Sequence, residues 1–134
     1  MRLLVDTGVL SASLSRRHSP SLDRHVTALL GNQLFIASVT VAELRYGAII
    51  AEWGAPRRER IERAITAATV VPVTAVLLTA VAELRAACRR AGHPLADKIH
   101  GNDLWIAASA IHVNASLVTA DGVFAETPGL VLFL

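Results

Sequence analysis

The chain has 134 residues, of which 53% are hydrophobic and 18% are charged, so we expect a single compact domain over residues 1–134 rather than a disordered protein. No apolar run reaches the roughly 18 residues that crossing a bilayer requires, and Asp6 interrupts the apolar N-terminus, which argues against a signal peptide. We therefore expect a cytoplasmic protein with no membrane partner. The formal net charge of +2 allows a nucleic-acid partner without demanding one.

Short apolar strands alternate with longer helices along most of the chain. In chain order we predict a strand over residues 2–6, helices over 9–17 and 20–30, a strand over 34–37, helices over 40–54 and 56–67, a strand over 70–73, helices over 74–91 and 102–113, and strands over 116–119 and 130–133. Strands that are apolar throughout are typical of sheets covered on both faces. The pattern predicts an α/β fold with three layers, α/β/α, around a central, mainly parallel sheet of about five short strands.

Four carboxylates lie where predicted strands meet predicted helices. Asp6 and Asp121 directly follow strands, whereas Glu43 and Asp103 lie at the start of helices. In a parallel sheet these positions share one edge, which is where α/β domains bind ligands. Four acids in one crevice repel each other unless a cation neutralises them. The placement therefore predicts an all-oxygen site for a hard divalent cation.

Each acid also has a purely structural interpretation, which the sequence leaves open. Asp6 is a preferred N-cap residue, and Thr40 with Glu43 matches a capping box. Asp103 suits the first turn of its helix, and Asp121 before a glycine suits a turn.

Three segments resemble those of the PIN-domain ribonucleases, and in particular the VapC-like toxins of bacterial toxin–antitoxin pairs. They are LLVDTGVL at the start, IASVTVAELRYGA in the first third, and GNDLWIAASAIHVNASLVTADGVF near the end. The resemblance implies metal-dependent hydrolysis of RNA, such as a tRNA or ribosomal RNA, with Mg²⁺ or Mn²⁺. It also implies a cognate antitoxin and a homodimer as assembly partners.

The resemblance implies a role for each acid. Asp6 and Asp103 are the expected metal carboxylates, Glu43 a third catalytic acid, and Asp121 a fourth. It further suggests that hydroxyl groups of two threonines bond within the acidic cluster; they are Thr7 and Thr119.

Several alternatives remain open on the residues alone. Asp97 competes with Glu43 as the third acid, and we expect His100 to be a solvated loop histidine, although it could reach the crevice. Arg45 is the arginine expected nearest the crevice, and Trp53 with Tyr46 is a candidate partner surface. A binding module without catalysis is the second functional hypothesis. A phosphate-accepting receiver domain fits poorly, because the only lysine, Lys98, does not end a strand.

Overall fold

The computed structural model of the protein describes residues 1–15 and 20–134. The strands in this part of the chain are β1 (Arg2–Val5), β2 (Gln33–Ile36), β3 (Thr69–Val70) and β4 (Ser116–Val118). The helices are α1 (Thr7–Leu14), α2 (Pro20–Ala28), α3 (Ser38–Ile50), α4 (Ala55–Ala67), α5 (Ala75–Ala91) and α6 (Gly101–His112). Helix α1 begins two residues before the predicted helix 9–17 and ends at Leu14. Residues 16 and 17 of that prediction lie outside the described residues.

The four strands form one sheet in the order β3-β2-β1-β4, and every neighbouring pair is parallel. This confirms the predicted parallel sheet. The strand predicted at residues 130–133 is reduced to a single parallel bridge between Leu117 and Leu132. A turn in which Gly129 has a φ of 76° comes directly before this segment.

Helices cover both faces of the sheet, which confirms the predicted three layers. Because successive strand residues point to opposite faces, β1 contributes to two separate cores. Leu3 and Val5 are fully buried in a core with apolar residues of α1, α3 and α4. Leu4 is fully buried in the other, where residues of α5 and α6 pack, among them Cys88. Cys88 is fully buried, so it packs within this core.

The order of the strands creates a crevice at the carboxyl ends of β1 and β4. The chain passes from β1 to β2 and β3 on one side and later returns to β4 on the other side of β1. Open α/β sheets bind ligands where the strand order reverses in this way. The backbone N–H of Asp6 donates to the carbonyl of Val118 across the two strand ends, at 3.1 Å.

Helix α6 brings a further acid to this crevice. Its residues are buried around most of its circumference, from Leu104 to Ala110, as its nearly all-apolar sequence predicts. Such a helix is fixed by the core, and its first turn carries Asp103. No helix among residues 1–15 and 20–134 has the length and apolarity needed to cross a membrane.

A carboxylate cluster at the carboxyl edge of the sheet

Asp6 is the most deeply buried of the four acids, with 6% of its surface exposed. It is the N-cap of α1, and its Oδ1 accepts a hydrogen bond from the backbone N–H of Val9 at 2.8 Å. Its Oδ2 accepts a short hydrogen bond from the hydroxyl of Thr119. The capping interpretation is therefore correct for one carboxylate oxygen, while the other is held by the residue that follows β4.

Glu43 does not form the capping box that the sequence suggests. Helix α3 begins two residues before Thr40, with Ala37 as its N-cap, so Thr40 is a buried residue inside the helix. The Glu43 side chain instead accepts a hydrogen bond at Oε1 from the hydroxyl of Thr7, at 2.8 Å. The Thr7 Oγ1 also lies 3.0 Å from the Oγ1 of Thr40. These contacts tie the acid on α3 to the first residue of α1, next to Asp6.

Asp103 lies in the first turn of α6 and faces His100. The His100 Nδ1 is 3.5 Å from the Asp103 Oδ2. His100 is therefore not confined to solvent: its side chain is 33% exposed and reaches the crevice, which was the alternative to a solvated loop histidine. The short 3₁₀ turn Lys98–His100 runs directly into α6 and places the two residues at helical i,i+3 spacing. Asp97 is exposed between this turn and the preceding one, Pro94–Ala96.

Asp121 caps the third 3₁₀ turn, Gly122–Phe124. Its Oδ1 accepts from the backbone N–H of Val123 at 3.0 Å, and its own N–H donates to the Thr119 Oγ1 at 3.0 Å. Thr119 thus links Asp121 to Asp6, since its hydroxyl donates to one residue and accepts from the other. Thr7 and Thr119 both bond within the acidic cluster, as the resemblance suggested.

The four carboxylates form one electrostatic group. Burial raises the pKa of Asp6, and the charges of Asp121 and Asp103 raise it further, whereas hydrogen bonds from Thr119 and Val9 lower it. Burial likewise raises the pKa of Asp103. Its hydrogen bond with His100 lowers this pKa, while the charges of Asp121 and Glu43 raise it. The fold therefore brings all four predicted acids to one edge of the sheet, where burial and neighbouring charges disfavour the negative charge of Asp6 and of Asp103.

A family model described as the PIN domain matches residues 3–130 of the chain. The chain belongs to the PIN domain family. The resemblance drawn from the three sequence segments is therefore confirmed. A comparison with curated proteins finds no significant match.

Several solved structures share this PIN fold along nearly the whole chain. VapBC2 from Rickettsia felis, bound to a DNA fragment from its promoter, is 26% identical with a TM-score of 0.79, covering 99% of this chain and 98% of that chain. VapBC-1 from nontypeable Haemophilus influenzae is 23% identical with a TM-score of 0.76, covering 99% and 97%. A toxin–antitoxin complex from Klebsiella pneumoniae is 24% identical with a TM-score of 0.66, covering 96% and 95%.

The oxygen atoms of this PIN domain's crevice suit a hard cation with a partly aqueous shell. In residues 1–15 and 20–134, no three acidic, histidine or cysteine side chains are close enough to hold an ion together. Mg²⁺ commonly takes only one or two protein carboxylates and keeps several waters. Asp6 offers a buried carboxylate, and Asp103, Asp121 and Glu43 add negative charge nearby. The crevice therefore suits such an ion with few direct protein ligands.

A groove of about 670 Å³ adjoins the crevice, between α1, α3 and α4 of the PIN domain. Glu43 lines both the groove and the acidic cluster, and Trp53 lines the groove as well. The guanidinium of Arg57 lies over the Trp53 ring, 5.4 Å from its centroid, and Arg60 donates to the carbonyl of Leu14 at 3.3 Å. The groove thus combines apolar and basic side chains at the border of the acidic site.

Two other expectations for α3 have different outcomes. Tyr46 is 64% exposed, so it is available to a partner. Arg45, expected nearest the crevice, is bound instead to Glu62 of α4, with Nε–Oε1 and Nη2–Oε2 distances of 2.9 and 3.0 Å. The sequence gives no hint of this pair, because its members are 17 residues apart on different helices.

Proposed function

We propose that this PIN domain is a metal-dependent endoribonuclease and the toxin of a toxin–antitoxin pair. The observation that supports this most is the clustering of Asp6, Glu43, Asp103 and Asp121 at the sheet edge, where burial and mutual charge raise the pKa of two of them. Likeness to structures described as VapBC and toxin–antitoxin complexes supports the biological role. The substrate is RNA, with tRNA and ribosomal RNA as the first candidates, so the protein would act in the cytoplasm.

Asp6 and Asp103 are the residues we propose to hold Mg²⁺ or Mn²⁺. Their oxygens come from two different layers of the fold. Thr119 orients Asp6 through a hydrogen bond, and His100 lies 3.5 Å from Asp103. When bound, the cation supplies an activated water and charge stabilisation for the phosphodiester. A bound cation would also offset most of the repulsion among the carboxylates, and this favours the charged form of Asp6 and of Asp103.

Glu43 is proposed as the general base. Its Oε1 is fixed by the hydroxyl of Thr7, which leaves the other carboxylate oxygen to accept a proton from the attacking water. A carboxylate held by one hydrogen bond in a fixed position suits this role, since general base catalysis depends first on geometry. Asp121 is proposed as the fourth acid, with its carboxylate adding negative charge on the side of the crevice that follows β4.

We propose that the antitoxin occupies the groove beside Glu43. The groove presents Trp53, with the guanidinium of Arg57 on its ring, and borders the acidic cluster. A peptide with apolar and acidic residues would complement these side chains, and a basic residue at its end would complement the carboxylates. A segment bound here would block access to the site. A homodimer is the proposed assembly of the toxin itself.

Cleavage assays with two alanine variants and one matched control test the proposed activity. Asp6→Ala and Asp103→Ala should each abolish Mn²⁺-dependent RNA cleavage and growth inhibition, because each removes a proposed metal ligand. Asp97→Ala should cleave normally, since this acid is exposed outside the cluster. Full activity in a folded Asp6→Ala or Asp103→Ala protein would contradict the assignment, and loss of activity in Asp97→Ala would restore Asp97 as the third acid.

A catalytically silent binding module remains the second candidate, and the capping contacts favour it. Asp6 and Asp121 each accept a backbone N–H at the start of a helical turn, which is a sufficient structural reason for either residue. This candidate predicts that wild-type protein binds RNA or protein but shows no saturable binding of Mn²⁺.

A further inference from the structure

His93 connects two segments that carry different acids of the crevice. It follows α5 and precedes the 3₁₀ turn Pro94–Ala96, which leads through Lys98–His100 to Asp103. On its other side lies the loop after the turn Gly122–Phe124, which Asp121 caps. Nothing in the sequence marks this histidine, because its partner in that loop is 32 residues away.

The hydrogen bonds of the ring fix its tautomer. The Nε2 lies 2.8 Å from the carbonyl oxygen of Ala125. A carbonyl only accepts, so Nε2 carries the proton. The Nδ1 accepts from the backbone N–H of Leu95 at 3.1 Å. The ring therefore bonds its own turn through one nitrogen and the distant loop through the other.

The residues around this connection are tightly packed. Leu95 and Phe124, one in each segment, are 0% and 1% exposed. Thr127 is also buried, and its hydroxyl donates to the carbonyl of Phe124 at 2.8 Å while its oxygen lies 3.3 Å from the His93 Nε2. The position of the loop relative to the turn is thus set by both packing and hydrogen bonds.

Together with the contacts of the site, this bond connects the two sides of the crevice. From Asp6 the connection passes through Thr119 to Asp121 and its turn. From there the Ala125–His93 bond leads back to the chain that carries His100 and Asp103. At this point the contacts of the His93 side chain with Ala125 and Thr127 add polar links to the apolar packing of Leu95 and Phe124.

We infer that His93 is a positioning residue for the metal site: through its Nε2–H bond to Ala125 it sets the distance between the segments of Asp103 and Asp121. The inference rests on the proposed function, because it takes these acids as the surroundings of the cation. A small change in the separation of the two segments weakens the site, since a cation held by few carboxylates depends strongly on their placement.

Two substitutions of His93 distinguish its bond to Ala125 in the distant loop from its bond to Leu95 in its own turn. In His93→Gln, the amide N–H lies near the position of Nε2, so the bond to Ala125 is kept. In His93→Asn, the amide oxygen lies near the position of Nδ1, so only the bond from Leu95 is kept. His93→Ala removes both. Arg85→Ala is the matched control. The Nε of Arg85 donates to the carbonyl of Ala96 in the same turn, at 3.2 Å, and this bond does not involve the loop.

Mn²⁺ binding to the full chain, measured by electron paramagnetic resonance, is the readout, with thermal unfolding as the check on folding. We expect His93→Ala and His93→Asn to raise the Kd for Mn²⁺ on the order of tenfold, the scale of one hydrogen bond. His93→Gln and Arg85→Ala should remain near wild type. Recovery in His93→Asn but not in His93→Gln would overturn the inference, as would unchanged Mn²⁺ affinity in all three His93 variants.

RNA cleavage by the same proteins separates this inference from the proposed function. If wild-type protein binds Mn²⁺ but cleaves no RNA, the proposed function fails while the Mn²⁺ affinities of the His93 variants still decide the inference. If wild-type protein cleaves RNA, the concentration of Mn²⁺ that gives half-maximal activity should rise in His93→Asn with the KM for RNA unchanged. A raised KM at saturating Mn²⁺ would instead indicate an RNA contact and contradict a positioning role.

Discussion

Carboxylates in two regions of this molecule have opposite environments. At the sheet edge, Asp6 and Asp103 are surrounded by other acids and by protein, and burial raises the pKa of each. On the outer surface of α3 and α4, Glu62 is exposed and bound by two guanidinium nitrogens of Arg45, and the hydrogen bond from Arg45 lowers the pKa of Glu62. The outer surface neutralises its charges within the chain, whereas the crevice collects like charges that an external cation would neutralise.

The largest expected difference between the two regions is in catalysis. Glu43→Gln keeps an oxygen for the hydroxyl of Thr7 but cannot accept a proton from water. We expect its RNA cleavage rate to fall by roughly 10²- to 10⁴-fold, the usual contribution of a general base. Glu62→Gln is the matched control on the outer surface and should cleave at the wild-type rate. Single-turnover cleavage at saturating Mn²⁺ measures both, and a Glu43→Gln protein with the wild-type rate would remove Glu43 from the mechanism.

A smaller loss is expected when an orienting hydroxyl is removed. Thr119→Val has a similar shape but no longer donates to Asp6 or accepts from the N–H of Asp121. Cleavage should fall about tenfold at limiting Mn²⁺, the scale expected when a hydrogen-bond partner of a metal ligand is lost. Thr119→Ser, which keeps the hydroxyl, should recover most of the activity. If serine and valine behaved alike, the side chain would act by packing alone.

The stability of the metal-free protein should depend on pH in the direction set by Asp6. Burial raises the folded-state pKa of Asp6 above the ordinary value of 3.8, which applies to the unfolded chain. At pH values between the unfolded-state pKa and the folded-state pKa, the folded state therefore binds more protons than the unfolded state. Stability therefore falls as the pH rises through this interval. Added Mn²⁺ should raise the Tm at neutral pH, because it favours the ionised carboxylates that burial disfavours.

Asp6→Asn separates the contribution of this residue. The amide keeps an oxygen for the N–H of Val9 but carries no charge, so the metal-free variant should be more stable than wild type at pH 7. A gain of about 1 kcal/mol would raise the Tm by roughly 3 to 5 °C in a chain of this length, and Mn²⁺ should add little. Calorimetric scans at several pH values measure this, and a variant that melts lower than metal-free wild type at pH 7 would show that the charge is already compensated.

The smallest effect is expected on the outer surface. Arg45→Ala leaves Glu62 exposed to water, where solvent and salt replace the lost partner. The Tm should not change beyond the error of the measurement, and the RNA cleavage rate should stay within about twofold of wild type. A large loss of cleavage would place Arg45 on the substrate path after all, as its position on α3 close to Glu43 suggested.

Much of the fold is predictable because its signals are local. The apolar strands and the helix boundary at Gly92 follow from short stretches of sequence, and Gly92 does adopt the left-handed conformation, with φ 69°. The all-apolar face of the helix after Asp103 predicts its burial. The start of α3 is the instructive failure: the pattern from Thr40 to Glu43 fits a capping box, but packing of Thr40 in the core allows the helix to begin earlier.

The site is predictable to the extent that strand ends converge. Because the carboxyl ends of parallel strands share one edge of the sheet, the sequence was enough to predict that the four acids lie together there; they are Asp6, Glu43, Asp103 and Asp121. It did not predict the contact of His100 with Asp103, which depends on a 3₁₀ turn joining a helix, although the i,i+3 spacing was a usable signal. The pairing of Arg45 with Glu62 joins side chains of two helices, and only the packed structure defines it.

Calorimetric titration of the wild-type chain with Mn²⁺ tests most directly whether the sheet edge is a cation site. We predict saturable binding to the wild type, and a Kd raised by at least tenfold in Asp103→Asn, which removes one charge and keeps the shape of the side chain. Glu62→Gln, with the same change on the outer surface, should bind Mn²⁺ like the wild type. No saturable binding to the wild type, or equal binding by Asp103→Asn, would contradict the account.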